Sequence, residues 1–286
     1  MIRLAVRVRR EQAELVLAEL LELAPTGVEE VAVGDGAIEY AVYGAPGELP
    51  ALPALRAAAG DALVDVTSAE IADDWRERWR SYHRPAVVGK QLTVRPPWEP
   101  ASTTPLDVVI DPGQAFGTGA HATTRLCLEL LLEVDPRGSL LDLGCGSGVL
   151  AITAARLGFD PVVAVDNDPA AVVAASANAA LNAVDIEVRR LDLRSERAPC
   201  ADTIAANLLA PLLERWATDV AGSSEVPGHV IAGGLLTGEA DSAADAFAAA
   251  GLAETRRVME SGWAALLLES APTDREKRAD SGSILS

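Results

Sequence analysis

The strongest chemical signal in the sequence is a glycine-rich run at residues 140–151, LLDLGCGSGVLA, in which an apolar stretch leads through a turn into a helical pattern. Glycines at a strand-to-helix turn permit unusual backbone torsions and let the backbone approach a ligand closely. The N–H groups at the start of the following helix favour a polar or negatively charged ligand. The glycines are Gly144, Gly146 and Gly148, at the first, third and fifth positions, whereas a dinucleotide-binding loop has its third glycine at the sixth. This spacing disfavours a nicotinamide-dependent oxidoreductase.

An acidic residue stands at the end of the next predicted strand, which runs over residues 161–165. The carboxylate of Asp166 is in the right place to accept hydrogen bonds from both hydroxyls of a ribose, as acidic residues do in dinucleotide folds. Asp168 is better explained as the N-cap of the following helix, with Pro169 at its first helical position. Asp192, after a third strand, could contact an adenine, although a loop aspartate needs no such role.

A second loop, rich in glycine and threonine, lies at residues 111–124, DPGQAFGTGAHATT, before an amphipathic helix. Such a loop can enclose a small ligand and cap the helix at the same time. Either Thr123 or Thr124 is the expected N-cap, which is compatible with a contact to a cofactor. His121 has the chemistry of a general base, but a single loop histidine is more often structural, so no catalytic role is given to it.

The elements that must hold these loops fall into two predicted domains of the α/β class. Residues 1–70 read as β-α-β-β-α-β, the order of a ferredoxin-like unit, and they suggest a structural or partner-binding domain. Residues 71–85 read as a linker helix whose aromatic face either packs on a neighbouring domain or contacts a protein partner. Residues 86–270 alternate strands and helices, which indicates a parallel sheet. Residues 271–286 are polar, and a disordered tail is predicted there.

Composition narrows the class of function further. Of the 286 residues, 49% are hydrophobic, which is enough for a sizeable core, and the formal net charge is −18. A surface with this much negative charge repels phosphate backbones and attracts basic partners. Nucleic acid is therefore not expected as a direct partner. The cysteines are scattered, so neither a disulfide framework nor a metal site is expected. No signal peptide is visible and no apolar run reaches the roughly 20 residues of a membrane helix, so a cytoplasmic protein is expected.

The segment 111–124 and the glycine loop that follows it resemble the ribosomal protein L11 methyltransferase family, PrmA. The resemblance covers essentially residues 1–270, and its specific part is the run FGTGAHATT, since very many methyltransferases share the glycine loop. Further runs that resemble the family are 165–169 (VDNDP), 206–212 (ANLLAPL), 234–236 (GLL) and 261–263 (SGW).

The resemblance implies a seven-stranded, Rossmann-like class I methyltransferase domain that binds S-adenosylmethionine and uses no metal. It carries the cofactor contacts over to Thr124, Gly144, Asp166 and Asn207. The place of Asn207 at the carboxyl end of a predicted strand favours a catalytic role in holding the acceptor amine, and a plain turn residue is the alternative. The implied substrates are lysine side chains of ribosomal protein L11, with its N-terminal amine as a further candidate. A monomer is expected.

Two alternatives to this function are open in the sequence. The first is a lysine methyltransferase of the same fold that acts on a different basic protein, because the catalytic domain does not separate the two and the first 70 residues alone could. The second is a non-catalytic binding module on a methyltransferase fold. The presence of Asp142, the loop glycines, Asp166 and Asn207 argues against this second alternative.

Overall fold

The computed structural model describes residues 2–9, 12–13, 16–17, 20, 28–33, 37–44, 49, 55–56, 59–70, 83–112, 119, 121–223 and 225–270. They belong to two compact units, one within Met1–His83 and the other made of Arg84–Pro112 and Gly117–Ser286. Residues 71–82 of the predicted linker helix and the whole predicted tail, 271–286, lie outside the described residues. The domain boundaries taken from the sequence therefore stay predictions.

The first unit is a four-stranded antiparallel sheet. Its strands are β1 (Ile2–Arg9), β2 (Glu29–Val33), β3 (Ala37–Gly44) and β4 (Leu63–Glu70), in the order β2-β3-β1-β4. One face of β1, with Leu4, Val6 and Val8, is buried against helical residues that include Leu20 and Leu55. This is the strand arrangement of a ferredoxin-like fold, so the class predicted for this unit is confirmed.

The second unit is built on a seven-stranded sheet. In chain order its strands are β8 (Leu140–Leu143), β9 (Val162–Asp166), β10 (Glu187–Arg190), β11 (Thr203–Asn207), β12 (His229–Leu236), β13 (Leu252–Glu260) and β14 (Trp263–Ser270). The order in the sheet is β10-β9-β8-β11-β12-β14-β13. Strands β8 to β12 pair in parallel, as predicted, whereas β14 runs antiparallel to β12 and β13. A smaller sheet of β5 (Ala86–Val88), β6 (Leu92–Arg95) and β7 (Leu106–Val109) precedes it.

Helices cover both faces of the large sheet. They are α1 (Ala122–Leu131), α2 (Val149–Leu157), α3 (Pro169–Leu181), α4 (Ala210–Ala221) and α5 (Ala240–Ala249). Successive strand residues face opposite layers, so Leu140 packs in the core that contains α1, α2 and α3, while Leu141 packs in the core of α4 and α5. Burial on both faces explains the near-continuous apolar sequence of these strands. Among the helices that the structure describes, none is long and apolar enough to cross a membrane.

Asn178 of α3 and Asn182, the C-cap residue of this helix, hold the chain at the end of β7. The amide of Asn182 accepts the N–H of Val109 at 2.8 Å and donates to the carbonyl of the same residue at 2.6 Å, so it takes the place of a neighbouring strand. One turn earlier, Asn178 accepts the N–H of Asp111 at 2.9 Å and donates to the carbonyl of Ser147 at 2.9 Å. Asn178 thus connects the glycine loop to the start of the glycine- and threonine-rich segment.

The contact between α4 and α5 gives a test of the packing. The rings of Trp216 and Phe247 meet edge to face with centroids 5.6 Å apart, and both side chains are buried. Trp216→Ala should lower the free energy of unfolding by about 3–5 kcal/mol, because it leaves a cavity that the core cannot fill. Denaturant unfolding followed by circular dichroism measures this loss. The control, Val173→Ala at an exposed position of α3, should stay within about 0.5 kcal/mol of the unchanged protein, and equal losses would contradict the packing.

Candidate functional site

The glycine loop joins β8 to α2 and is held against the end of β9. The N–H of Gly144 donates to the carbonyl of Val165 at 2.8 Å. The N–H of Gly146 donates to Oδ2 of Asp166 at 2.9 Å. The loop ends at Gly148, the N-cap residue of α2, which has no side chain to cover the first turn. The amino end of α2 therefore begins on bare backbone at the edge of the sheet.

Glycine is required at two positions of this loop. Gly144 has a φ of +72°, and a Cβ on it would overlap the side chain of Leu208. Gly148 has a φ of +81°, and a Cβ on it would lie 3.0 Å from Cβ of Ala175 on α3. Each position combines a left-handed torsion with a close neighbour, so a side chain would be strained and would also displace part of the loop.

Asp142 caps α2 from inside the sheet. It is completely buried on β8, and its Oδ2 accepts the N–H of Ala151, the third residue of α2, at 3.0 Å. Burial raises the pKa of this carboxyl to about 7, while the bond from Ala151 lowers it and the charge of Asp166 raises it further. Its Oδ1 has no hydrogen-bond partner among the described residues. A buried carboxylate that is only half satisfied destabilises the fold, which is typical of a residue kept for function.

Asp166 ends β9 with its carboxylate turned toward backbone N–H groups. Oδ2 accepts from Gly146 and Oδ1 accepts from the N–H of Asp168, both at 2.9 Å. Because each carboxylate oxygen can accept two hydrogen bonds, two acceptor positions are left for further donors. Asp168 accepts the N–H of Ala170 at 2.8 Å and caps α3, with Pro169 as the first helical residue, which confirms the predicted cap.

The side chain of Asn207, at the end of β11, reaches the first turn of α1. Its Nδ2 lies 3.3 Å from Oγ1 of Thr123 and 3.4 Å from Oγ1 of Thr124, and both threonines are buried. The prediction that one of these threonines is the N-cap was wrong. The helix begins earlier, at Ala122, so the N-cap is His121, whose Nδ1 accepts the N–H of Thr123 at 3.4 Å. The threonine hydroxyls are thereby available to Asn207.

His121 lies between α1 and the hairpin of β13 and β14. Its Nδ1 is 2.9 Å from Oγ1 of Thr123, and its ring meets the ring of Trp263 edge to face, with centroids 5.2 Å apart. Burial lowers the pKa of His121, and the charge of Arg125 lowers it further. Arg125 is itself paired with Glu260 at 2.7 Å. The imidazole is therefore neutral at pH 7 and caps a helix, which agrees with the structural role favoured for it from the sequence.

The four residues expected to contact a cofactor come together at one edge of the large sheet. Strands β8, β9 and β11 are parallel neighbours, so Gly144, Asp166 and Asn207 lie at or directly after their carboxyl ends. Thr124 joins them through its contact with Asn207. In open α/β sheets ligands bind outside this edge where the strand order reverses, which here is between β8 and β11. Asp192 lies after β10, where it accepts a local backbone N–H.

The interpretation of the sequence missed Asn178 and the part played by the hydroxyl of Thr123. A signal for Asn178 was present, because it is a polar residue on the buried face of an otherwise apolar helix. Its partners, Ser147 and Asp111, are 31 and 67 residues away in the chain. Periodicity records which face of a helix is buried but not what lies opposite it, so these partners needed the tertiary structure.

This edge suits a nucleoside cofactor. It combines a carboxylate with two acceptor positions left, a loop that presents glycine backbone at Gly144 and Gly148, and a side-chain amide at the end of a neighbouring strand. In the part of the chain that is described, no three side chains of His, Cys, Asp and Glu are grouped as metal ligands. A seven-stranded sheet in this order with this loop and acidic strand end is the architecture of the class I, S-adenosylmethionine-dependent methyltransferases.

Comparison with known proteins narrows the class to a family. The profile of the family "Ribosomal protein L11 methyltransferase (PrmA)" matches residues 53–271, and the chain belongs to this family. The ribosomal protein L11 methyltransferase of Geobacter sulfurreducens is 42% identical over 197 residues, which are 68% of this chain and 66% of that protein. The same enzyme of Pelotomaculum thermopropionicum is 42% identical over 212 residues, 72% of this chain and 69% of that protein. The matches thus span about two thirds of the relatives' length.

A solved structure supports the same grouping. The crystal structure of a ribosomal protein L11 methylase from Lactobacillus delbrueckii subsp. bulgaricus superposes with a TM-score of 0.59 at 27% sequence identity. The match covers 66% of this chain and 100% of that chain. The predicted class I fold is therefore confirmed by its topology and by a solved relative.

Gly144→Ala tests the glycine loop as a ligand site. The new Cβ would overlap Leu208 beside Asn207, so affinity for S-adenosylhomocysteine should fall at least about tenfold by isothermal titration calorimetry. Gly158→Ala is the matched control, because Gly158 also has a positive φ but no atom of the described residues within 4 Å of its Cβ position. It should lose stability and keep its affinity. Equal affinity losses would mean that general strain, rather than this loop, controls binding.

Asp142→Asn should change how stability depends on pH. The carboxyl has a pKa of about 7 in the fold and 3.8 as its ordinary value. At a pH between these two values the carboxyl is protonated in the folded state but ionised in the unfolded state. The free energy of unfolding therefore falls as the pH rises through this range, by up to about 4 kcal/mol in all. Asparagine carries no such cost, so the stability of the variant relative to the unchanged protein should rise from about pH 4 to about pH 7 and then level off. Denaturant titrations across this range measure the difference, and a constant difference would contradict the raised pKa.

Proposed function

We propose that this protein transfers methyl groups from S-adenosylmethionine to amines of ribosomal protein L11, to lysine side chains and, as a second candidate, to the N-terminal amine. The observation that carries the proposal is the position of Asn207, an amide at the carboxyl end of a central strand beside the glycine loop. Membership of the PrmA family and relatives named ribosomal protein L11 methyltransferase support it.

Four residues would hold the cofactor. The carboxylate of Asp166 has two acceptor positions for the ribose hydroxyls, and Gly144 offers backbone without a side chain to the methionyl part. Thr124 and Asn207 line the same edge from α1 and β11. When bound, S-adenosylmethionine supplies an electrophilic methyl group on a positively charged sulfonium. Because the four residues sit on rigid elements or directly beside them, they position the reactants without having to reorganise.

The acceptor amine must be neutral before it can accept a methyl group. For a lysine with a pKa of about 10.4, removing the proton at pH 7 costs about 4–5 kcal/mol. A poorly solvated pocket with a positive charge nearby lowers the pKa of the amine and with it this cost. Asn207 and neighbouring backbone carbonyls would accept the N–H groups of the neutral amine and turn its lone pair toward the methyl group. No side-chain nucleophile is needed, so positioning is the main contribution of the chain.

The charge of the chain supports a basic protein as partner. With a formal net charge of −18, the surface attracts a basic ribosomal protein and repels nucleic acid, so we propose no direct nucleic-acid partner. A monomer that works in the cytoplasm, where ribosomes are assembled, fits this substrate. The alternative is a lysine of a different basic protein, because the methyltransferase unit holds the chemistry and the N-terminal unit is the candidate for substrate recognition.

A transfer assay with labelled S-adenosylmethionine separates these two substrates. The enzyme is offered purified ribosomal protein L11 and, separately, a cell lysate depleted of it. Label on the purified protein, located on lysines by mass spectrometry, is the expected result. Label that appears only on another protein of the lysate would show that the protein is a methyltransferase whose substrate is that other protein instead of ribosomal protein L11.

Asn207→Ala should abolish transfer while the protein stays folded, because the amine then has no side-chain acceptor at the strand end. The initial rate of label transfer measures the activity, and circular dichroism and thermal unfolding measure the fold. Val173→Ala, on the exposed face of α3, is the control and should keep the full rate. Transfer at an undiminished rate by a folded Asn207→Ala protein would refute the catalytic role of this residue.

A further inference from the structure

The amide of Asn207 can turn either its oxygen or its NH2 group toward a substrate, and the two choices have opposite chemistry. The oxygen accepts an N–H of an amine, whereas the NH2 group has donors alone. The role proposed for Asn207 needs the oxygen. The two ends of an amide are nearly equal in size, so neighbouring groups must decide which end faces the amine.

The orientation of the Asn207 amide depends on hydrogen bonds that begin at the amino end of α1. Nδ1 of His121 accepts the backbone N–H of Thr123 at 3.4 Å, so this nitrogen carries a lone pair and no proton. The hydroxyl of Thr123 lies 2.9 Å from the same nitrogen. A nitrogen without a proton can only accept, so the hydroxyl of Thr123 must donate its single proton to His121.

Once its proton is used in this way, Thr123 has acceptor positions alone to offer to Asn207. The atom that Asn207 brings within 3.3 Å of this oxygen must therefore be the donor, Nδ2. Oγ1 of Thr124, 3.4 Å from the same nitrogen, is in position to accept its second proton. The oxygen of Asn207 then points away from both threonines. That oxygen lies on the side of Gly233, where a Cβ would be 3.4 Å from it and would overlap Sγ of Cys127, so only glycine fits beside the amide.

We propose that Thr123 is a positioning residue, whose hydroxyl is oriented by His121 and fixes the amide of Asn207 with its oxygen toward the acceptor amine. This inference rests on the catalytic role proposed for Asn207. Thr123 is only 2% exposed, so water cannot take the place of its hydroxyl. Without the hydroxyl the amide can adopt both orientations, and one of them presents donors to a group that needs an acceptor.

The surroundings of His121 keep its imidazole neutral, so one ring nitrogen has no proton, and the bond from the N–H of Thr123 makes Nδ1 that nitrogen. The ring is largely withdrawn from water, and the guanidinium of Arg125 disfavours a second positive charge beside it, so its pKa is lowered. Glu260, the carboxylate on this side, is paired with Arg125 at 2.7 Å. Trp263 packs against the imidazole edge to face and holds the ring in place.

Thr123→Val and Thr123→Ser test the hydroxyl with side chains of similar size. Thr123→Val should lower kcat at least about tenfold and leave the KM for S-adenosylmethionine and the affinity for S-adenosylhomocysteine within about threefold. Thr123→Ser keeps the hydroxyl and should stay within about threefold of the unchanged protein in kcat. Equal losses of kcat in both variants, or a loss confined to cofactor affinity, would overturn the positioning role.

The same comparison can be made at His121. Asparagine brings an acceptor oxygen close to the position of Nδ1 and is itself a good N-cap. Phenylalanine keeps a ring against Trp263 but has no acceptor. His121→Asn should retain most of kcat, and His121→Phe should lose about as much as Thr123→Val. The reverse order would overturn the inference, and thermal unfolding of each variant shows whether the fold is kept.

A spectroscopic measurement tests the hydrogen-bond chain without relying on activity. The protein has three histidines, so labelling them with 15N and using His121→Asn for assignment isolates the signal of His121. Nδ1 should be unprotonated at pH 7, and its resonance should shift in Thr123→Val. A proton on Nδ1 would reverse the hydrogen bonds and overturn this inference alone. Full activity of Asn207→Ala, with Nδ1 unprotonated, would instead overturn the proposed function on which the inference rests.

Discussion

The site depends on the hydrogen bonding between three parallel strands. β8 pairs with β9 and with β11 in a register that sets Leu143 opposite both Val165 and Ala206. The residues that follow these three in the chain are the ones that form the edge of the site, Gly144, Asp166 and Asn207. A slip of one residue in either pairing would turn the side chains to the opposite face of the sheet, because they alternate along a strand. The apolar cores on both faces of the sheet prevent this slip.

The loops beyond the strands are held by polar contacts that the core does not supply. The glycine loop is bonded to the end of β9 on one side and, through Asn178, to α3 on the other. Each such bond contributes only about 1 kcal/mol, but together they give the loop a single conformation. Asp142 has the opposite effect on stability, because it caps α2 but has a buried oxygen with no hydrogen-bond partner among the residues that the structure describes. This edge of the sheet is therefore well ordered at a cost in stability, as sites prepared for a ligand often are.

The sequence by itself determined the order of elements and the kind of loop at the centre of the site. The ferredoxin-like unit follows from alternation along short strands, and the buried strands of the large sheet follow from apolar runs separated by turns. Asp168 could be predicted as a cap because its partner, Ala170, is two residues away. The glycine loop could be predicted because the torsions at Gly144 and Gly148 are strained for other residues. In each case the signal and its cause lie within a few residues of each other.

The tertiary structure alone decided which side chains meet. Asn207 and Thr123 are 84 residues apart, and Asn178 and Asp111 are 67 apart, so no local period relates them. The N-cap of α1 was mistaken because threonine is a good cap by residue type, whereas the helix begins at Ala122, one residue before the two threonines, so that His121 is the N-cap. The antiparallel direction of β14 is likewise invisible in its own sequence, since a strand buried on both faces has the same apolar pattern in either direction. Patterns in a sequence record how each element is buried, whereas the contacts that build a site depend on the order in which the sheet assembles those elements.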